Sequence, residues 1–432
     1  MLTFLGLSMI ACFIAAIMTQ RLSALVALIL MPLAFGLLAG HGADLGPMAL
    51  AGITKLAPTA VLLVFAVLYF AVMIDTGLFD PLVRRVVRYA GGDPLRICVG
   101  TAVVVLLVSL DGDGASTALL TIATFLPIYR RTGMNPLILA VILGAANSIV
   151  NITPWGGPTG RVASALHLDP ADVFLPLLPT MLVGMAATVV LAVYLGLRER
   201  QRLGIVSAEA MAAMATPDDT GSGRDMRMAR PRLIWVNLVL TLCVLATGFA
   251  RLLPLPVAFM VGIALALAIN YPKVSLQRDR LAAHAANALP IALLIFGAGI
   301  FTGVMGGTGM IDAIAKSAAA AIPPELGPRM GWITALLSGP LTFALPNDAY
   351  YFGVVPVVAH TAGQFGVSAA EIARASLLGQ PLHTLSPLVA SLYFVAGLLD
   401  REVGELQRYA FKWMLLITLV MVATAIASGA IG

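Results

Sequence analysis

Apolar runs long enough to cross a bilayer recur along almost the whole 432-residue chain. A hydrocarbon core of about 30 Å takes about 18–20 apolar residues in helix. Inside lipid every backbone N–H and C=O must be satisfied within the protein, so such runs can only become packed helices. They lie near 2–19, 22–40, 57–79, 137–160 and 172–196, and again near 233–252, 254–270, 284–309, 372–397 and 413–431. Charged residues make up 11% of the chain, against about 25% in a soluble domain, too few to clothe a globule in water. The chain reads as an all-α polytopic membrane protein. The net charge of +5 is then a matter of Lys and Arg gathered on loops at one membrane face, not of nucleic acid. Cys12, Cys98 and Cys243 form no CxxC pair or metal spacing and read as small core residues. The first apolar run follows Met1 with no basic segment before it, and reads as a first span rather than a cleaved signal.

Two further apolar stretches are broken in the middle. Residues 97–129 are interrupted by Asp111-Gly112-Asp113-Gly114, and 328–362 by Pro346-Asn347-Asp348. Each arm of the first is about 14 residues, short of a full crossing. Arg96 stands at one end and Arg130-Arg131 at the other. A re-entrant hairpin with its polar tip at mid-depth satisfies all three facts. With the N-terminus outside and both broken stretches re-entrant, twenty Lys and Arg fall inside. Six fall outside: Lys55, Arg161, Arg251, Lys316, Arg329 and Arg374. The bias fits about ten transmembrane helices plus two re-entrant helical hairpins. Residues 197–232, with Pro217-Asp218-Asp219 and Gly221-Ser222-Gly223, read as an exposed cytoplasmic linker of a multi-pass plasma (inner) membrane protein.

The halves 1–196 and 233–432 share one pattern of three spans, a hairpin and two spans. The first starts outside and the second inside, so the repeats are inverted. Thr76-Gly77-Leu78-Phe79-Asp80 matches Thr308-Gly309-Met310-Ile311-Asp312, Thr153-Pro154 matches Ser386-Pro387, and Asp113 falls near Asp348. Inverted repeats with interrupted helices are the pattern of secondary transporters, whose site lies at the midplane between repeats.

The polar residues inside the apolar runs mark that site. An uncompensated Asp at a helix centre costs about 2.5–3.5 kcal/mol, so Asp111 and Asp113 are expected to be solvated, paired or part of a site. A solvated loop between two ordinary spans is the plainer alternative. Ser116 and Thr117 are suited to N-cap the second arm, where free N–H groups favour a carboxylate. The broken helix 137–160 carries Asn147, Asn151, Thr153, Gly156, Gly157 and Thr159 around Pro154 and Pro158. Its freed backbone groups can coordinate an ion or bond an anion, or the polar groups can satisfy one another in a kinked helix. The broken helix 372–397 carries Gln380, His383, Thr384 and Ser386, and the second tip Asn347 and Asp348. Histidine as a residue type titrates near neutral pH, so His383 is a proton-carrier candidate with Asp113 and Asp348; a purely hydrogen-bonded structural role stands beside it. Asp75 and Asp312 end their spans beside Thr-Gly pairs as interfacial caps.

At these clusters, LDGDGAST, NITPWGGPTGR, LPNDAYYFG and LLGQPLHTLSPL resemble the CitMHS family of citrate–metal:proton symporters. That family is part of the ion transporter superfamily, related to the divalent-anion:sodium symporters. The resemblance runs from residue 1 to the last span. It implies proton-coupled symport of citrate complexed with a divalent metal, an elevator-type fold of scaffold and transport domains, and a homodimer. It implies substrate binding at both tips and both broken helices, at the residues named above. The sodium-driven relatives carry Ser-Asn-Thr at their tips. This chain has acidic residues there instead, which sets sodium coupling aside. The residues agree, because free citrate near neutral pH would be repelled by Asp111, Asp113 and Asp348, whereas carboxylates are good partners for Mg²⁺ or Ca²⁺. The metal is expected as cargo, with no permanently bound cofactor.

The nearest rival is a carrier of another di- or tricarboxylate or an inorganic anion on the same fold. An intramembrane aspartyl protease needs a Gly-x-Gly-Asp box, and Leu110 breaks it. A lipid-processing enzyme needs more than one Asp-rich loop. An anion channel does not need two broken-helix repeats.

Overall fold

The computed structural model describes residues 1–112, 114–205 and 228–432, apart from the side chains of Asp111, Ala115 and Ser116. Among them every regular element is helical. The first half runs α1 (Leu2–Met18), α2 (Ala24–Leu38), α3 (Leu45–Thr76), α4 (Asp80–Ala90), α5 (Pro94–Val108), α6 (Gly114–Thr132), α7 (Pro136–Val150), α8 (Gly157–Leu166), α9 (Pro170–Phe174) and α10 (Leu178–Leu203). The second half runs α11 (Ile234–Phe249), α12 (Leu255–Asn270), α13 (Val274–Gly307), α14 (Met310–Ala321), α15 (Met330–Ala344), a π-helical turn (Ala349–Val354), α16 (Val355–Gly363), α17 (Ala369–Leu377), α18 (Gln380–His383), α19 (Ala390–Leu399) and α20 (Val403–Ala427). The order repeats. The run from α17 to α18 begins and ends 233 residues after α7, and α19 reproduces both ends of α8 at the same shift. The matched Thr-Gly pairs also correspond: Gly77 and Gly309 both take the left-handed conformation that ends a long helix, at φ +85° and +72°.

The expected crossings are not ten equal helices. Five stretches are long and apolar enough to cross a bilayer: Leu45–Thr76, Pro170–Leu203, Pro231–Phe249, Val274–Gly307 and Val403–Ala427. Helices α1, α2 and α12 have 17, 15 and 16 residues, or about 22–26 Å. The stretch expected at 137–160 is split into α7 and α8, and that at 372–397 into α17, α18 and α19. The linker expected at 197–232 is helical as far as Leu203, and 206–227 lie outside the described residues. Its far end is docked: Arg230 donates its backbone N–H to Thr76 and its Nε–H to the Asn270 carbonyl, both at 2.8 Å.

The buried apolar side chains form two cores. One gathers Met9, Phe13, Leu28, Leu62, Phe70, Phe259 and Phe301 from α1–α3 and α11–α14. The other gathers residues of α5–α10 and α15–α20, such as Ile97, Phe125, Ile142, Leu195, Tyr351 and Met414. Each half thus sends its early helices mainly to one core and its later helices mainly to the other, with Trp155, Ala165 and Phe352 of the later elements joining the first. In the first core α3 and α13 cross at small residues. A Cβ on Gly52 would overlap the Gly299 carbonyl oxygen, and one on Gly303 the Met48 carbonyl. Without a hydrophobic force between helices in lipid, such close backbone packing supplies the attraction. Buried amides add to it: Asn237 and Asn270 exchange hydrogen bonds at 2.9 and 2.8 Å, and Tyr69 bonds Thr241 at 2.9 Å.

Polar contacts between helix ends fall into two sets. Asp75 meets Arg280 and His284, Asp93 meets Arg200, and Asn135 meets Glu199. The other set joins Asp172 to Arg251, Thr3 to Ala313, and Glu371 to the Gly432 N–H. Asp75, expected as a simple interfacial cap, is therefore shared between Arg280 at 3.3 Å and His284 at 2.7 Å.

Candidate functional site

The first broken helix is built by its own side chains. Asn135 caps α7 by accepting from the Leu137 N–H at 3.0 Å. After Val150 the chain turns, and Asn151 Oδ1 accepts from the Gly157 N–H at 3.3 Å, which covers the start of α8. Thr159 closes the turn by donating to the Ile152 carbonyl at 2.8 Å. A Cβ on Gly156 would overlap the Asn151 carbonyl, so the chain can double back there only through glycine. Asn151, Gly156 and Thr159 thus shape the break itself.

The first hairpin tip rests on this break. Trp155 donates Nε1–H to the Leu110 carbonyl at 2.8 Å. A Cβ on Gly114 would lie 3.0 Å from Asn147 Nδ2. The two tip carboxylates are not described: Asp113 lies outside the described residues, as do the side chains of Asp111 and Ser116. Helix α6 already starts at Gly114, so Ser116 and Thr117 lie inside its first turn instead of capping it. Thr117 is fully buried there.

The second half-site is anchored by the second tip. Pro356 has no N–H to offer the Phe352 carbonyl, and the chain passes Ala349–Val354 as a π-helical turn, a geometry frequent at functional sites. Gln380 donates Nε2–H to Asn347 Oδ1 at 3.2 Å and to Tyr351 Oη at 2.8 Å, tying the tip to the break after α17. A Cβ on Gly379 would strike the Ser338 backbone, so α15 packs directly against that break. His383 is buried, and its Nδ1 lies 2.7 Å from the Thr342 carbonyl. A carbonyl only accepts, so Nδ1 carries the hydrogen and the ring braces the hairpin arm. Thr384 donates to the Pro381 carbonyl, and Ser386 accepts from the Leu388 N–H.

Between the halves sits a residue that sequence reasoning assigned to an outside loop. Arg161, on α8, donates Nε–H to Asp348 Oδ1 at 2.7 Å; the side chains are 23% and 20% exposed. The ion pair joins the first broken helix to the second tip. Arg161 makes no other hydrogen bond among the described residues, so its terminal N–H groups remain to receive a second acceptor. Gly157 leaves them room, since a Cβ there would lie 2.8 Å from Nη1. The clue was its place four residues after Gly157, on the same face of the half-helix.

Asn147, Gly114 and Thr384 line a cavity of about 50 Å³, enough for water but far too small for a tricarboxylate. Asn147 Oδ1 and Thr153 Oγ1 are buried with no partner among the described residues. Both atoms sit at or beside the first break, and a buried polar atom without a protein partner can take a hydrogen bond from a ligand or water. Among the described residues no three His, Cys, Asp or Glu side chains cluster as a resident metal centre. The structure thus brings Asn347, Asp348, Gln380 and Arg161 into one group, and Asn147 and Thr384 into another.

A family model described as citrate transporter, CitMHS, matches residues 10–379. The chain is 48% identical over 431 residues to a protein of Bacillus subtilis (strain 168) named citrate transporter, covering all of both chains. It is 45% identical over 432 residues to the Mg(2+)/citrate complex secondary transporter of the same organism, covering all of this chain and 99% of the other. In fold it is similar to the YdaH transporter of Alcanivorax borkumensis, with a TM-score of 0.60 at 16% identity over 90% of each chain. The resemblance read from the four motifs holds. The protein is a multi-pass membrane transporter rather than an enzyme, and the chain belongs to the CitMHS family of citrate transporters.

Proposed function

We propose that the protein carries citrate, complexed with a divalent metal of the Mg²⁺ or Ca²⁺ type, in symport with protons across the plasma membrane. The observation that carries this reading is the Arg161–Asp348 pair with the guanidinium's terminal N–H groups left open. Guanidinium matches a carboxylate with two parallel hydrogen bonds. Asp348, with Asp111 and Asp113 of the other tip, is suited to the hard cation. The complex is then held by its anionic end on Arg161 and by its metal on the tips. Asn147 and Thr153 supply hydrogen bonds to the remaining oxygens, with Gln380, Thr384, Asn151, Gly156, Gly157, Thr159, Asn347 and Ser386 holding the breaks and tip in shape. Proton coupling is assigned to Asp113, Asp348 and the Nε2 side of His383.

The arrangement proposed is an elevator, with the first core as scaffold and the second as moving unit in a homodimer. The division into two cores, each drawing on both halves, supports it. The inverted orientation of the repeats is supported by the two sets of end contacts. With the N-terminus outside and the linker cytoplasmic, every pair in each set falls on one side.

Labelled-citrate uptake into vesicles, with an imposed pH gradient and a panel of Mg²⁺, Ca²⁺, Zn²⁺ and Fe³⁺, tests the reading. Uptake is expected with Mg²⁺ or Ca²⁺. Arg161→Gln is expected to lower it at least about tenfold, equivalent to about 1.4 kcal/mol of lost binding, and Arg161→Lys to restore part. Asp111→Asn, Asp113→Asn and Asp348→Asn are expected to weaken metal dependence. No citrate uptake with any metal would reject the substrate. Competition by malate, succinate or tricarballylate stronger than by citrate would favour another carboxylate on the same site.

A further inference from the structure

Helix α4 connects α3 of the first core to α5 of the second. Its apolar side chains Val83, Val86 and Val87 pack on the second core. Its other face holds Arg84, Arg85 and Arg88, all exposed and without a carboxylate partner among the described residues. The three arginines line a cavity of about 500 Å³, together with Pro231 and Ile234 around the start of α11. Asp80, the carboxylate in that lining, is already partnered. Two large aromatic side chains next in sequence to lining residues stand exposed: Trp235 follows Ile234 at 77% exposure, and Tyr89 follows Arg88 under the Arg96 guanidinium at 4.9 Å. Exposed Trp and Tyr mark the headgroup level of a bilayer.

The cluster is not demanded by the fold. The element in the same place of the second half, α14, carries Lys316 as its single basic residue. An excess of positive charge on one side of the membrane would be met by basic residues anywhere in these loops. It does not require three lining one concavity together with apolar residues of another helix. Three guanidinium groups lining one cavity can receive a phosphate, and Pro231 and Ile234 in the same lining suit the start of an acyl chain.

We propose that this cavity binds the phosphate headgroup of an anionic phospholipid from the leaflet facing the linker. The lipid fixes α4, the connector between the two cores, at the membrane surface.

The test is native mass spectrometry of the full-length protein in detergent, titrated with phosphatidylglycerol or phosphatidylcholine of matched chains. Wild type is expected to retain the anionic lipid at least tenfold over the zwitterionic one. Arg84→Gln/Arg85→Gln/Arg88→Gln is expected to bring that ratio near one, and the corresponding triple Lys variant to keep most of it. Inorganic phosphate and glycerol phosphate at equal concentration are expected not to displace the lipid. If the Gln triple cannot be purified, each single Gln variant is expected to lower the ratio at least twofold. An unchanged ratio in the Gln variants, or displacement by free phosphate, would overturn the proposal.

Discussion

At the scale of single residues, the two adjacent glycines of the first break have separable roles. The Cβ of Gly156→Ala meets backbone that cannot yield, so the variant is expected to lose about 1–3 kcal/mol of stability, read as a lower thermal midpoint in detergent. The Cβ of Gly157→Ala meets only the end of the Arg161 side chain. Its stability is expected to stay within about 0.5 kcal/mol while the KM for citrate uptake rises several-fold. Equal thermal midpoints for the two variants would contradict the assignment. The polar residues of this region were legible because a polar side chain in an apolar run must be accounted for. Arg161 was not legible. Hydropathy places a cation after an apolar run at a membrane face, and only the folded break turns it back toward Asp348. His383 stood out by position, but its bond to the Thr342 carbonyl depends on how α18 lies against α15, which no local pattern encodes.

At the scale of elements, each of the two broken apolar stretches folds as a pair of helices, α5–α6 and α15–α16, because a polar or proline-containing interruption ends a helix. The boundaries expected from sequence fall within a few residues of these helices. The broken helices were readable as interruptions, though not as separate helices with turns between. The α3–α13 crossing escaped notice, because glycines in an apolar run look alike whether or not another backbone lies on them. Gly52→Val is expected to drive these helices apart and lower the thermal midpoint, by about 1–3 kcal/mol or more. Gly306→Ala, where a Cβ meets nothing within 4 Å, is expected to be neutral or to stabilise by up to about 1 kcal/mol. Comparable losses in the two variants would remove the crossing from any special role.

At the scale of the molecule, the two cores meet where α8 lies against α3: a Cβ on Gly160 would fall on the Leu63 side chain. In a background lacking the native cysteines, oxidising a Leu63→Cys/Gly160→Cys pair is expected to stop uptake at least tenfold, with reductant restoring it. Full uptake in the oxidised, cross-linked protein would show that these surfaces need not slide. The repeat itself also has a limit. At the shift of 233 residues that relates α8 to α19, the position answering to Arg161 is Phe394. The cation therefore stands on one side only, and the two halves of the centre are not equivalent. Citrate has two chemically identical arms on a prochiral carbon, and a pocket built this way surrounds them differently. Mirror-image citrate analogues substituted on one arm should then inhibit uptake unequally, so that the carrier reads handedness in a cargo that has none of its own.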